Sequence, residues 1–165
     1  MKISHTQKFV GAIVGLLALW TIVSVSQTEP PKVSNNATLE TQVHRRLAEI
    51  QQAAEALDVE KVFGFVLDND QGALVQNGKL FLTRNETLES TKRGFEGLEK
   101  VSYKMDQEHI SLLSPTIAVA VSAGSSTATT RDGRTFTTPF LQSVVLVLTN
   151  GGWKVFHAHR SFPRE

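Results

Sequence analysis

The sequence contains no cysteine in 165 residues, so neither a disulfide framework nor lipid attachment at an N-terminal cysteine is open to it. Charge of one sign is also missing. The formal net charge is +1, and setting aside Lys2 and Lys8, the only charged residues before Gln27, leaves −1. Such a body carries no electrostatic footprint for nucleic acid or for an anionic membrane surface. There is no phosphate-binding glycine loop: Gly94 and Gly97 stand at a predicted helix end with neither the lysine nor the following helix that such a loop needs. The hydroxyl-rich stretch "STATTRDGRTFTT" holds no Gly-x-Ser-x-Gly nucleophile motif, and its Arg131 and Arg134 flank a solvated turn. Internal repeats are lacking too. With 41% hydrophobic residues, the chain can still bury a core of ordinary size.

What is present begins with "MKISHTQK", followed by an uncharged run from Phe9 to Ser26. Basic start, apolar centre and small residues Ser24 and Ser26 before a cleavage point form the pattern of a secretory signal peptide. A run of this length also suffices as an uncleaved membrane anchor. Residues 1–26 are therefore read as signal peptide or anchor, residues 27–36 with Pro30 and Pro31 as a linker, and residues 37–163 as the domain. Export to the periplasm or outside the cell is expected, with membrane contact only through residues 9–26 if uncleaved. A cysteine-free core suits a bacterial periplasmic protein.

Leu39, Val43, Leu47, Ile50, Ala54 and Leu57 recur at steps of three and four, which predicts a long amphipathic helix. Asp58 caps a second helix carrying Val59, Val62, Phe63 and Val66, and "LDNDQG" ends it. Asn77-Gly78 predicts a tight hairpin. Thr83 and Glu86 have capping-box spacing before a third helix with Leu88, Thr91, Phe95 and Leu98. Strands follow: Val101, Tyr103 and Met105 alternating with Ser102, Lys104 and Asp106; then "TIAVAVSAG"; then "TFTTPFLQSVVLVLT"; then "WKVFHAHRS". Helices first and a meandering sheet afterwards make an α+β fold, with a curved antiparallel or mixed sheet wrapped around three N-terminal helices and a cavity between them.

The last strand carries the candidate chemistry. Simple alternation places Trp153, Val155, His157 and His159 on one face, and Lys154, Phe156, Ala158 and Arg160 on the other. Paired imidazoles on a cavity wall can orient a polar ligand, exchange protons near neutral pH, or satisfy buried neighbours. A zinc site needs a third ligand such as His109 or a carboxylate, and no spacing selects one, so no metal and no cofactor is expected. Tyr103, the only tyrosine, and Gln142 are further ligand-binding candidates beside His157 and His159; Arg160 has a similar standing. Asp68 and Asp70 are read either as a base at a cavity mouth or as helix-ending turn formers.

The order of elements, the "NGK" hairpin and the ending "W-K-V-F-H-A-H-R-S" resemble the SnoaL-like branch of the nuclear transport factor two-like superfamily, over about residues 37–163. That superfamily also holds the ketosteroid isomerases and the association domain of calmodulin-dependent kinase. The resemblance implies a cone-shaped α+β barrel with a pocket between sheet and helices, and a homodimer formed through the sheet. Isomerase members use a catalytic carboxylate with Tyr and protonated-acid oxyanion donors. Here Asp106 falls on the opposite face from Tyr103, and nothing matches the isomerase carboxylates. Shared fold is a poor guide to activity. Three functions remain: binding a small, partly apolar molecule in the cavity; isomerase, lyase or hydrolase chemistry with a histidine or carboxylate base; and self-association through the sheet face without a ligand.

Overall fold

The computed structural model describes residues 33–69, 73–76 and 78–162. The segment read as signal peptide or anchor lies outside these residues, as do Asp70 and Asn77. Among the described residues no helix is long and apolar enough to cross a membrane. Helix α1 (Val33–Glu55) starts inside the stretch read as linker. The first four residues of the expected stripe hold, with Val43 fully buried and Leu39, Leu47 and Ile50 packed around the same core; farther on Ala53 is buried where Ala54 was expected, and Leu57 lies past the helix end. The helix closes with amide bonds from Leu57 to Ala54 and from Asp58 to Ala53, which places Leu57 at φ 56°. A left-handed leucine costs roughly 1 kcal/mol relative to glycine there.

Asp58 then caps α2 (Val59–Gly64), its carboxylate accepting from the Lys61 amide at 3.0 Å. Helix α3 (Arg84–Glu96) opens with the predicted capping box: the Thr83 hydroxyl accepts from the Glu86 amide, and the Glu86 carboxylate accepts from the Thr83 amide. Val59, Phe63 and Leu88 join the two helices in a small core of their own.

The strands are β1 (Leu74–Gln76), β2 (Lys79–Phe81), β3 (Leu98–Ser114), β4 (Ile117–Thr130), β5 (Thr135–Thr149) and β6 (Gly152–Ser161). They form one curved, unclosed sheet in the order β2-β1-β6-β5-β4-β3. β1 runs parallel to β6, and the other pairs are antiparallel. The α+β class is as expected. The β1–β2 hairpin turns at Gly78 with φ 71°. β3 is longer than its sequence suggested, because the chain continues through a bulge at Asp106.

Helix α1 packs on one face of this sheet, here the inner face. Val43 meets Ala118, Ala120, Val144, Leu146, Trp153 and Val155 in the main core. Ala118 and Ala120 of β4 are buried in the same cluster as Val43, so the middle of α1 lies over packed core. β3 is an edge strand, and α1 also reaches its free backbone: the Glu55 carboxylate accepts from the Tyr103 amide at 2.9 Å, and Gln51 donates to the Tyr103 carbonyl at 3.4 Å.

The last strand departs from simple alternation. Leu146 pairs with Val155, but its neighbour Val145 pairs with His157, so Phe156 is an extra residue. A bulge of this kind reverses the phase of everything after it. Trp153 and Val155 are buried on the inner face, where Ala158 and Arg160 follow them. His157 and His159 therefore lie on the outer face, paired with Val145 and Ser143. The expectation that Trp153, Val155, His157 and His159 share a face is corrected by that single residue.

Candidate functional site

Strand register assembles a row that no single segment displays. Glu108 pairs with Ser122, Ser122 with Gln142, and Gln142 with Arg160, which is in register with Gln76 of β1. These residues cross the inner face side by side. Strand spacing puts the Glu108 and Arg160 backbones about 14 Å apart. On one side of the row lie Ile110, Ala120, Val144 and Ala158, all part of the apolar core. Beyond the other side stand the aromatics Phe140 and Tyr103.

Phe140 is 1% exposed and Tyr103 is part-buried; their rings meet edge-on, with centroids 6.2 Å apart at 75°. Gly124 makes this packing possible. A Cβ there would stand 2.3 Å from the Lys104 carbonyl oxygen and 3.2 Å from Phe140 Cζ, so any side chain would push strand and ring apart. The neighbouring Asp106 bulge is held by an ion pair to Lys104 at 2.7 Å, which raises the Lys104 pKa through hydrogen bond and charge.

Arg160 ties row and aromatics together. Its guanidinium lies 4.5 Å from the Phe140 ring centroid and 5.5 Å from that of Tyr103. Its Nε and Nη2 both donate to Gln142 Oε1, at 3.2 Å and 2.6 Å. Cation–π contacts of this kind contribute roughly 0.5–2 kcal/mol each. Tyr103 and Gln142, two of the residues singled out from sequence, are thus brought to one place, with Arg160 between them.

At the far end of the row, His44 Nδ1 meets Glu108 Oε1 at 2.7 Å, with the imidazole side chain 56% exposed and the carboxylate 21% exposed. A carboxylate beside Nδ1 selects the ring tautomer that carries its hydrogen there. Neither residue was singled out from sequence. The signal available was weak: His44 flanks the apolar stripe of α1, and Glu108 lies beyond the bulge that hid the rest of β3.

The histidines of the last strand belong to different surroundings. On the outer face a hollow of about 380 Å³ is lined by Gln107, His109, Val121, Leu141, Ser143 and His159 among others. His159 and His109 lie in one row with Ser143 and Val121 between them, about 14 Å apart by strand spacing. That is too far for one metal ion, whose bonds to imidazole nitrogen are about 2 Å. Among the described residues no three His, Asp or Glu side chains gather into a ligand set. His157 does not line this hollow, and Asp68 is exposed beyond α2. The outer face also exposes Ile117, Val121 and Leu141, at 38%, 49% and 56%, and Leu113, at a bulge near the end of β3, is 66% exposed.

The family model described as a SnoaL-like domain matches residues 43–165 of this chain. No functionally curated protein sequence matches it. Among solved structures, the fold is similar to that of a proposed dehydratase of the nuclear transport factor 2-like family from Streptomyces avermitilis, with 18% identity, a TM-score of 0.71, and 78% of this chain and 99% of that one covered. A proposed scytalone dehydratase from Novosphingobium aromaticivorans shares 12% identity with a TM-score of 0.73 over 81% and 89% of the two chains. A nuclear transport factor 2-like superfamily protein from Salmonella enterica shares 19% identity with a TM-score of 0.72 over 79% and 94%. At these identities the likeness shows the fold alone.

Proposed function

Because the chain belongs to the SnoaL-like domain family, we propose that it is an exported domain binding a small, partly apolar molecule on the helix-facing side of its sheet. The observation that carries this reading is the meeting of Gln142, Arg160, Tyr103 and Phe140 at one end of the inner polar row. Ligand sites combine apolar walls with a few converging polar groups, and this is the part of the inner face where both occur together. Export rests on the basic and then apolar pattern of residues 1–26.

Thermal-shift screening against small aromatic and aliphatic metabolites tests the site. A stabilising compound is expected, with Gln142→Leu removing its effect and His159→Ala leaving it intact. The opposite pattern would move the site to the outer hollow and sink the inner-face reading.

A second reading has its own support. Three large apolar side chains of the outer face, Ile117, Val121 and Leu141, are exposed on the side of the sheet away from α1. Scattered apolar residues on a surface are ordinary, but Val121 and Leu141 line one hollow together, and grouped apolar side chains suit association. A homodimer through this face is compatible with a ligand on the other, and sedimentation gives its mass.

A further inference from the structure

Within the described part of the chain the charge of Arg160 has no ionic counterpart. Among the described residues no carboxylate lies within ion-pair distance of it; its hydrogen-bond partner is the neutral amide of Gln142. The acid of the same row, Glu108, stands three strands away and is already engaged by His44. The geometry of the guanidinium is specific as well. Nε and Nη2 form the side-on fork and both donate to Gln142 Oε1, while the guanidinium carbon lies 4.5 Å from the Phe140 ring centre and 5.5 Å from that of Tyr103. What remains is the end-on fork of Nη1 and Nη2, whose outer hydrogens have no acceptor among the described residues. Two parallel N–H donors at that end match the two oxygens of a carboxylate. A part-buried cation clamped by rings and held by a neutral amide is pre-organised, so a ligand need not pay to order it.

We infer that the ligand is a small carboxylate with an apolar body, its two oxygens on the Nη1 and Nη2 end of Arg160 and its body against Tyr103. This rests on the inner-face site proposed above and names the chemistry of its ligand. The outer hollow, with its two separated histidines, offers no comparable fixed charge.

Tyr103 is the only tyrosine of the chain, so fluorotyrosine labelling of the full chain places one reporter at the site. Benzoate and its neutral analogue benzamide are the probes, with inorganic phosphate as the anion that lacks an apolar body. Benzoate is expected to move the fluorine resonance saturably, with affinity at least about tenfold above that of benzamide and of phosphate. Arg160→Gln should remove the benzoate effect, and Arg160→Lys should retain part of it. Equal binding of benzamide and benzoate would overturn the carboxylate assignment while leaving the inner-face site standing. Phosphate binding as well as benzoate would overturn the apolar body. A resonance indifferent to all three probes would overturn both this inference and the site on which it rests. The comparison of probes uses the unsubstituted chain, so it holds even where a variant at Arg160 fails to fold.

Discussion

The two faces of the four long strands, β3 to β6, share one backbone and differ in almost everything else. Phe140 is 1% exposed and its chain neighbour Leu141 is 56% exposed. The inner face carries the core, the polar row and the aromatic clamp on Arg160. The outer carries His109, His157 and His159 among exposed aliphatics. Each face is built by a period of two, so the identity of a face is only as secure as the count of residues along each strand. Phe156 shows this most directly. One residue without a partner moves both histidines of the last strand away from the helices and brings Arg160 beneath them.

Removing that residue should break the contrast most severely. Deleting Phe156 forces β6 either to turn its histidines inward or to lose its register with β5. Burying polar groups without partners and displacing core residues should cost more than about 4 kcal/mol, a loss of folded protein measurable by circular dichroism and denaturant titration. Adjacent substitutions sharpen the comparison at the next level. Phe140→Ala should destabilise by about 3–5 kcal/mol, because it empties a packed site. Leu141→Lys should change stability by no more than about 0.5 kcal/mol while reducing any dimer to a monomer in sedimentation. A dimer that survives Leu141→Lys would remove the outer face from the association reading.

The smallest effect is expected where the two faces end, at the β4–β5 turn. The Asp132 carboxylate is held below its ordinary value of 3.8, first by a hydrogen bond from the Thr130 hydroxyl and also by Arg134 at 2.8 Å. A lowered folded-state pKa contributes stability that is complete above the ordinary value and is lost as pH falls through the lowered one. Thermal midpoints of the unsubstituted chain and Asp132→Asn should therefore differ slightly at neutral pH and converge in strong acid. A difference that persists at the acid end would point to another cause.

The sequence was most legible where the signal is local. The α1 stripe, the Thr83–Glu86 capping box, the Asp58 cap and the turn at Gly78 each depend on residues within a few positions of one another. They also fix the α+β order of elements. Legibility failed at the bulges. Neither Phe156 nor Asp106 is a glycine, and nothing in "KVFHAH" or "YKMDQE" marks an unpaired residue. Gly124 was a readable hint, since a glycine within a strand often marks the close approach of another backbone. The polar row was beyond reach, because Glu108, Ser122, Gln142 and Arg160 become neighbours only through inter-strand register. Tyr103 and Gln142, named from the sequence, stand together beside Arg160, while His157 and His159 lie on the other face.

The contacts from Glu55 and Gln51 to the backbone of Tyr103 have a consequence for how this chain behaves when crowded. An unguarded outer strand is a template on which a second molecule's strand can grow, and β3 is long enough to seed such growth. With helix side chains already occupying the donor and acceptor at Tyr103, edge-to-edge polymerisation along this stretch would first require α1 to peel away. Resistance to fibre formation should accordingly track the docking of that helix.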